Sequence, residues 1–183
     1  QDTLTVAREL IGVRLGIDGP DGLVSGVINE TEAYTQDDPA CHAFGGKQTP
    51  RNKIMFGPAG YVYIYFIYGM YYCLNIVTES EGRGCAVLIR SVIPDVGSLD
   101  VVTRNRNREG NKSVAGLADG PAKLVMALDV SPELNGCDVF DEACPLFLER
   151  QTEVSLECTT SVRVGISKGV DLEWRFLGSR RGR

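Results

Sequence analysis

The amino-acid sequence predicts a single α+β domain over residues 1–183, and three features carry that expectation. The chain has 183 residues, enough to bury roughly two-thirds of its unfolded surface around one core. The stretch GYVYIYFIYGMYYCLNIV, residues 60–77, is uncharged and reads as two strands about a glycine turn. Helical signals lie before and after it, and no internal repeat, low-complexity tract or linker divides the chain.

In chain order, LTVARELIGVRL at 4–15 places apolar side chains at helical spacing, then runs into an extended segment before the turn DGPDG at Asp18–Gly22. LVSGVINETEAY follows as a strand that, extended through Tyr34, would project Glu30, Glu32 and Tyr34 from one face. Residues 35–60 are polar and turn-rich, a loop long enough to suggest a function. Next come strand Tyr61–Ile67, a turn at Tyr68-Gly69-Met70 and strand Tyr71–Val77. GCAVLIRSVIP is a further buried strand carrying Arg90, and residues 95–118 read as a basic, polar connection. DGPAKLVMAL opens a helix, because Pro121 suits the first helical position and Asp119 or Gly120 can cap it. SVRVGISKGVDLEWRFLG suggests two short strands.

With 43% apolar and 23% charged residues the composition is globular. No N-terminal segment has a signal-peptide pattern, so a cytoplasmic or nucleoid protein is expected, nuclear in a eukaryote. The chain begins at Gln1 rather than Met, and its native start is expected upstream. The tyrosine run is the one candidate membrane span, but Gly69 and its centrally placed rings argue against insertion.

The six cysteines form no CxxC pair and no zinc spacing, and with a single histidine no metal is expected. Reduced, mostly buried thiols are expected, although Cys137 and Cys144 are spaced to pair across a loop. The net charge of -5 argues weakly against a nucleic-acid partner. It is distributed in blocks, however: -6 over residues 1–40, +4 over 41–112, -7 over 113–160 and +4 over 161–183. Folding can therefore gather a basic face on an acidic body.

Glu32 and Tyr34 share a strand face, and His42 lies eight residues further on. Desolvation beside aromatic surface makes a carboxylate a stronger base, whereas on a solvated edge Glu30 and Glu32 would be surface decoration. Tyr61, Tyr63 and Tyr65 share one parity and Tyr68 the other. Each buried phenol oxygen requires a partner, so such a row is either an amphipathic sheet surface or a wall that meets something flat and polar, such as a base.

Six stretches, ETEAY, ACHAFGGKQTPRN, MFGPAGYVYIYFIYGMYYCLNIV, AVLIR, GPAKLVMAL and RVGISKG, resemble in order the landmarks of the alkyladenine DNA glycosylase family. The resemblance covers nearly the whole chain. For the fold it implies a curved, mainly antiparallel sheet with flanking helices and a protruding tyrosine-rich hairpin. For function it implies a monofunctional DNA glycosylase that flips alkylated or deaminated purines from duplex DNA and hydrolyses the N-glycosidic bond.

The resemblance also implies residue roles. Glu32 is matched to the base that activates the attacking water, and Arg90 and the Val164 carbonyl to groups that support that water. Tyr34, His42, Tyr65 and Asn75 are matched to the base pocket, Tyr68 to the side chain that wedges into the duplex. Lys47, Arg51 and Lys53 are natural phosphate contacts. No cofactor and no metal are implied, and the expected partner is double-stranded DNA with damaged purines, bound by a monomer.

Two departures stand out. The ending RFLGSRRGR differs from the aromatic and Val-Ser ending usual in relatives, and Lys47 stands where some carry Arg. The rival readings are a non-catalytic module for damaged or single-stranded nucleic acid and a hydrolase of free nucleosides. Glu32 together with Arg90 argues against the first, and a wedge at Tyr68 has no purpose in the second.

Overall fold

The computed structural model describes residues 1–19, 22–107, 116–152 and 155–180. Its strands are β1 Val13–Gly19, β2 Gly22–Tyr34, β3 Val62–Ile67, β4 Tyr71–Val77, β5 Ala86–Pro94, β6 Leu146–Arg150, β7 Leu156–Ser161 and β8 Arg175–Arg180. Its helices are α1 Thr3–Glu9, α2 Leu99–Asn107 and α3 Pro121–Ala127. The strands form one open antiparallel sheet in the order β3-β4-β5-β2-β1-β6, with β8 pairing β2 and β7 pairing β8. The predicted α+β class therefore holds.

The hub is β2. One edge pairs with β5; the other pairs with β1 over Gly22–Val27 and with β8 over Glu30–Glu32. Between these two partners the β2–β5 register is shifted around Glu30. A bulge of this kind bends a strand and increases its twist, which lets β2 leave β1 and take up β8.

Period-two alternation divides the side chains between two faces. Ile28 and Ala33 of β2, Val62 and Ile64 of β3, Leu74 and Ile76 of β4, and Val87 and Ile89 of β5 enter the main core, packed with Ala7 of α1 and Leu124 and Val125 of α3. Tyr63, Val77 and Ala86 lie on the opposite face in a second cluster with Cys41, Ala43 and Met55 from residues 35–60. The register aligns Tyr63, Asn75, Leu88, Glu32 and Arg175 as one row across five strands. Glu30, Glu32 and Tyr34 share that face.

Local chemistry accounts for the helices. Asp2 caps α1, its carboxylate accepting the Thr5 N–H at 2.9 Å. Pro121 opens α3 behind Gly120, while Asp119 pairs with Lys123 rather than capping. Helix α2 corrects the reading of 95–118 as a plain connection: Val102, Asn105 and Arg106 turn inward at helical spacing. Of the two short strands expected in SVRVGISKGVDLEWRFLG, β8 forms, whereas β7 ends at Ser161 and no other strand lies among the described residues of that stretch. Pro20 and Asp21 of the predicted turn, residues 108–115 of the basic stretch and the final 181–183 lie outside the described residues.

Cys137 and Cys144 are bonded to each other, so the expectation of mostly reduced thiols fails for this pair. Their loop covers the outer edge of β3: Val62 N–H donates to Cys137 O at 2.8 Å and Gly136 N–H to Val62 O at 2.7 Å. Pairing of this kind protects a sheet edge.

Candidate active site

The second face opens into a cavity of about 580 Å³ whose lining includes Tyr34, His42, Tyr63, Tyr65, Asn75 and Arg90. Its size is that of a small-ligand cleft. Tyr68, Val164 and Lys168 also line it.

Glu32 is fully buried and lies behind this lining. Its Oε1 accepts the Val164 N–H at 2.8 Å, and its Oε2 accepts the Tyr34 hydroxyl at 2.7 Å. Arg90 Nη1 stands 3.4 Å from Oε2. All three partners reach the cavity, so they connect the buried carboxylate to whatever occupies it. Glu30 is no surface decoration: its Oε1 accepts from Arg90 Nε at 2.7 Å and Arg175 Nε at 2.6 Å. Burial alone would make Arg90 easier to deprotonate, but Glu32 and Glu30 outweigh it and hold its affinity for the proton above the ordinary.

The aromatic wall is equally ordered. The rings of His42 and Tyr65 meet edge to face with centroids 4.6 Å apart, and those of Tyr63 and Tyr65 lie 5.5 Å apart. His42 Nδ1 is 3.1 Å from the Tyr63 hydroxyl. Burial first, and then the Glu32 charge, raises the pKa of Tyr34; burial also raises that of Tyr65 and pushes Tyr63 up to about 12. These phenols remain protonated donors at neutral pH. His42 is exposed at the cavity mouth, yet desolvation by its neighbours, followed by the Arg51 charge, lowers its pKa, which favours the neutral imidazole.

Asn52 is not among the residues the sequence points to, whereas Tyr63 belongs to the tyrosine row read as a possible wall. Asn52, within TPRN, is buried; its Nδ2 donates to His42 O at 2.8 Å and Lys47 O at 2.9 Å, and its Oδ1 accepts from Thr49 N–H at 2.7 Å. That bridging amide shapes the turn presenting His42. The alternation placing Tyr63 beside Tyr65 was the available signal for the wall. Asn75 is pinned by its Nδ2, which donates to Tyr63 O at 3.0 Å.

At the β3–β4 turn, Tyr68 is 85% exposed with φ 51°, and Met70 is exposed beside it. The predicted phosphate contacts differ from one another. Lys47 and Lys53 are exposed, whereas Arg51 is turned onto the wall: its Nη2 donates to Phe66 O at 2.7 Å and its guanidinium lies 5.5 Å from the Tyr65 ring centre. Among the described residues no cluster of His, Cys, Asp or Glu could hold a metal ion.

A family model for methylpurine-DNA glycosylase matches residues 1–181. The chain belongs to the methylpurine-DNA glycosylase family. Relatives named "Putative 3-methyladenine DNA glycosylase" include one from Carboxydothermus hydrogenoformans, 43% identical over 96% of this chain and 90% of the relative. Another, from Methanoculleus marisnigri, is 43% identical over 98% of this chain and 93% of the relative, and one from Rhodopseudomonas palustris is 44% identical over 97% and 82%. Membership makes the protein a DNA glycosylase for alkylated bases, a repair hydrolase whose substrate is DNA. No helix among the described residues is long and apolar enough to cross a membrane.

Proposed function

We propose that this glycosylase flips an alkylated or deaminated purine nucleotide out of duplex DNA and hydrolyses its N-glycosidic bond with water, leaving an abasic site. The observation that carries the proposal is Glu32: a buried carboxylate held by Val164, Tyr34 and Arg90 at the back of a ring-lined cavity. An enzyme acting on a base must take it out of the stack, at a cost of a few kcal/mol that is smallest for damaged or mispaired bases. Tyr34, His42 and Tyr65 supply stacking surface for the extruded base. Asn75, fixed by its bond to Tyr63 O, presents a rigid amide that screens purine edges.

The attacking water docks on the cavity side of Glu32 Oε2 and Arg90 Nη1, which lie 3.4 Å apart and so can both reach one water. Glu32 takes its proton as it adds to C1′, and the Val164 carbonyl orients it. The anionic carboxylate also stabilises the oxocarbenium-like sugar. Tyr68 occupies the place left in the duplex, and Lys47, Lys53 and the outer face of Arg51 neutralise phosphates.

A cationic alkylpurine leaves readily and gains attraction from the ring faces. A neutral deaminated purine needs a proton or strong hydrogen bond on the leaving base, and the lowered proton affinity of His42 leaves less of its protonated form to supply that proton. Alkylated purines should therefore be excised faster than hypoxanthine. Because water is the nucleophile, no strand cleavage should accompany excision.

Single-turnover assays on duplexes with one 3-methyladenine analogue, 7-methylguanine or hypoxanthine test this reading. Wild type should release base, and Glu32→Gln should bind the lesion without releasing it. Tight lesion binding with no release by either protein would instead mark a recognition module. Covalent trapping by borohydride would reject the water mechanism in favour of a lysine, with Lys168 the first suspect.

A further inference from the structure

The cavity has a second buried ion pair behind it that none of the proposed chemistry uses. The Arg163 and Asp38 side chains are both wholly buried and paired across 125 residues of sequence. Arg163 Nη1 bonds Asp38 Oδ2, and Nη2 donates to Oδ1 at 2.9 Å. The same guanidinium donates to Ala33 O at 2.9 Å and Gly169 O at 3.3 Å. It also lies 4.6 Å from the ring centre of Tyr34 and 5.3 Å from that of Trp174. Arg163 does not line the cavity.

These bonds converge on three segments that carry the site. Ala33 lies between Glu32 and Tyr34. Asp38 shapes the turn towards His42, its Oδ1 accepting the Ala40 N–H at 3.0 Å and its backbone carbonyl the Cys41 N–H at 2.9 Å. Arg163 itself precedes Val164, and Gly169 closes the lining loop 164–168. Packing here is tight: with φ 59°, a Cβ on Gly169 would lie 2.8 Å from Asp38 Oδ1 and 3.0 Å from Arg163 Nη2.

We infer that the Arg163–Asp38 pair is the positioning element of this site, holding Val164, Tyr34 and the His42 turn in register with Glu32. The inference rests on the glycosylase reading above. Stability alone does not call for the pair, because apolar replacement of a buried ion pair is often neutral or stabilising. An apolar pair could fill the volume but could not bond Ala33 O and Gly169 O or link them to the Asp38 turn. A planar fork does so, and lysine offers no equivalent geometry.

The test compares wild type, Arg163→Lys and the double variant Arg163→Met/Asp38→Leu in single-turnover excision of 7-methylguanine with saturating enzyme. Lesion-duplex affinity and Tm are measured in parallel. The rate constant under these conditions does not depend on the folded fraction, so it separates misplacement from instability. We expect both variants to excise at least about tenfold more slowly, with lesion affinity within about threefold of wild type. A folded variant with the wild-type rate constant overturns the inference. So does a rate loss matched by an equal loss of lesion affinity. If the double variant does not fold, Arg163→Lys decides by the same criteria. Failure of the glycosylase reading would show separately, as absence of excision by wild type, and the inference would fall with it.

Discussion

The Tyr34 hydroxyl donates to Oε2 of Glu32 at 2.7 Å, although the two residues are only two apart on the same strand. Burial and the neighbouring charge keep this phenol protonated. Tyr34 is thus both a wall of the cavity and a fixed donor to its buried carboxylate. Tyr34→Phe retains the stacking surface and removes the donor. Loss of a hydrogen bond to a buried charged group should cost about 1–3 kcal/mol, and Tm should fall by roughly 2–4 °C per kcal/mol. Urea unfolding checks the cost, and lesion affinity should change by less than about threefold. Equal stability of variant and wild type would mean that water replaces the hydroxyl freely.

Asn52 shapes the turn before the tyrosine strands from beneath. Asn52→Ala leaves the His42 and Lys47 carbonyls and the Thr49 N–H without this partner. The expected destabilisation is about 2–3 kcal/mol by chemical denaturation. Because His42 lines the cavity, affinity for lesion-bearing duplex should fall several-fold more than affinity for undamaged duplex. An equal fall on both duplexes would show that the turn serves general DNA binding only.

Sequence pattern carried the parts of this architecture that depend on neighbours. Alternation in β3 foretold one face for Tyr61, Tyr63 and Tyr65, and spacing in β2 foretold one face for Glu30, Glu32 and Tyr34. Partners distant in the chain left no local trace. Nothing in the isolated sequence near Arg163 indicates that its guanidinium meets Asp38 and Ala33. Helix α2 was hidden by its charge: Arg104 and Arg106 dominate the composition, while Val102 and Asn105 supply a buried side too narrow to read. A local reading of Arg51 likewise cannot show that the Phe66 carbonyl lies within its reach.

The site should also respond to mild acid through His42. Partial desolvation, then the Arg51 charge, lowers its proton affinity in the folded state, so below the ordinary value of 6.5 the unfolded chain binds more protons than the folded one. The contribution to stability is therefore fully present above that value and is lost as pH falls towards the folded-state pKa. Urea midpoints should drop between about pH 7 and pH 5.5, and His42→Gln should flatten the drop. An unchanged slope in the variant would assign the acid sensitivity to another group.

Tyr68 tests whether the substrate is a duplex. Its φ of 51° is unusual for a residue other than glycine, and its side chain is 85% exposed. A large ring held in this conformation at a turn gains little from the core. Tyr68→Gly relieves left-handed strain of about 1 kcal/mol, an amount similar to the entropy that glycine adds to the unfolded chain. Stability should therefore change by less than about 1 kcal/mol. Excision from duplex DNA should fall by at least about tenfold, because the vacated place in the stack is no longer filled, while the same lesion in single-stranded DNA needs no wedge. Equal losses on both substrates would make Tyr68 a contact to the extruded base. Undiminished duplex activity would remove the wedge from the mechanism and reopen the case for hydrolysis of free nucleosides.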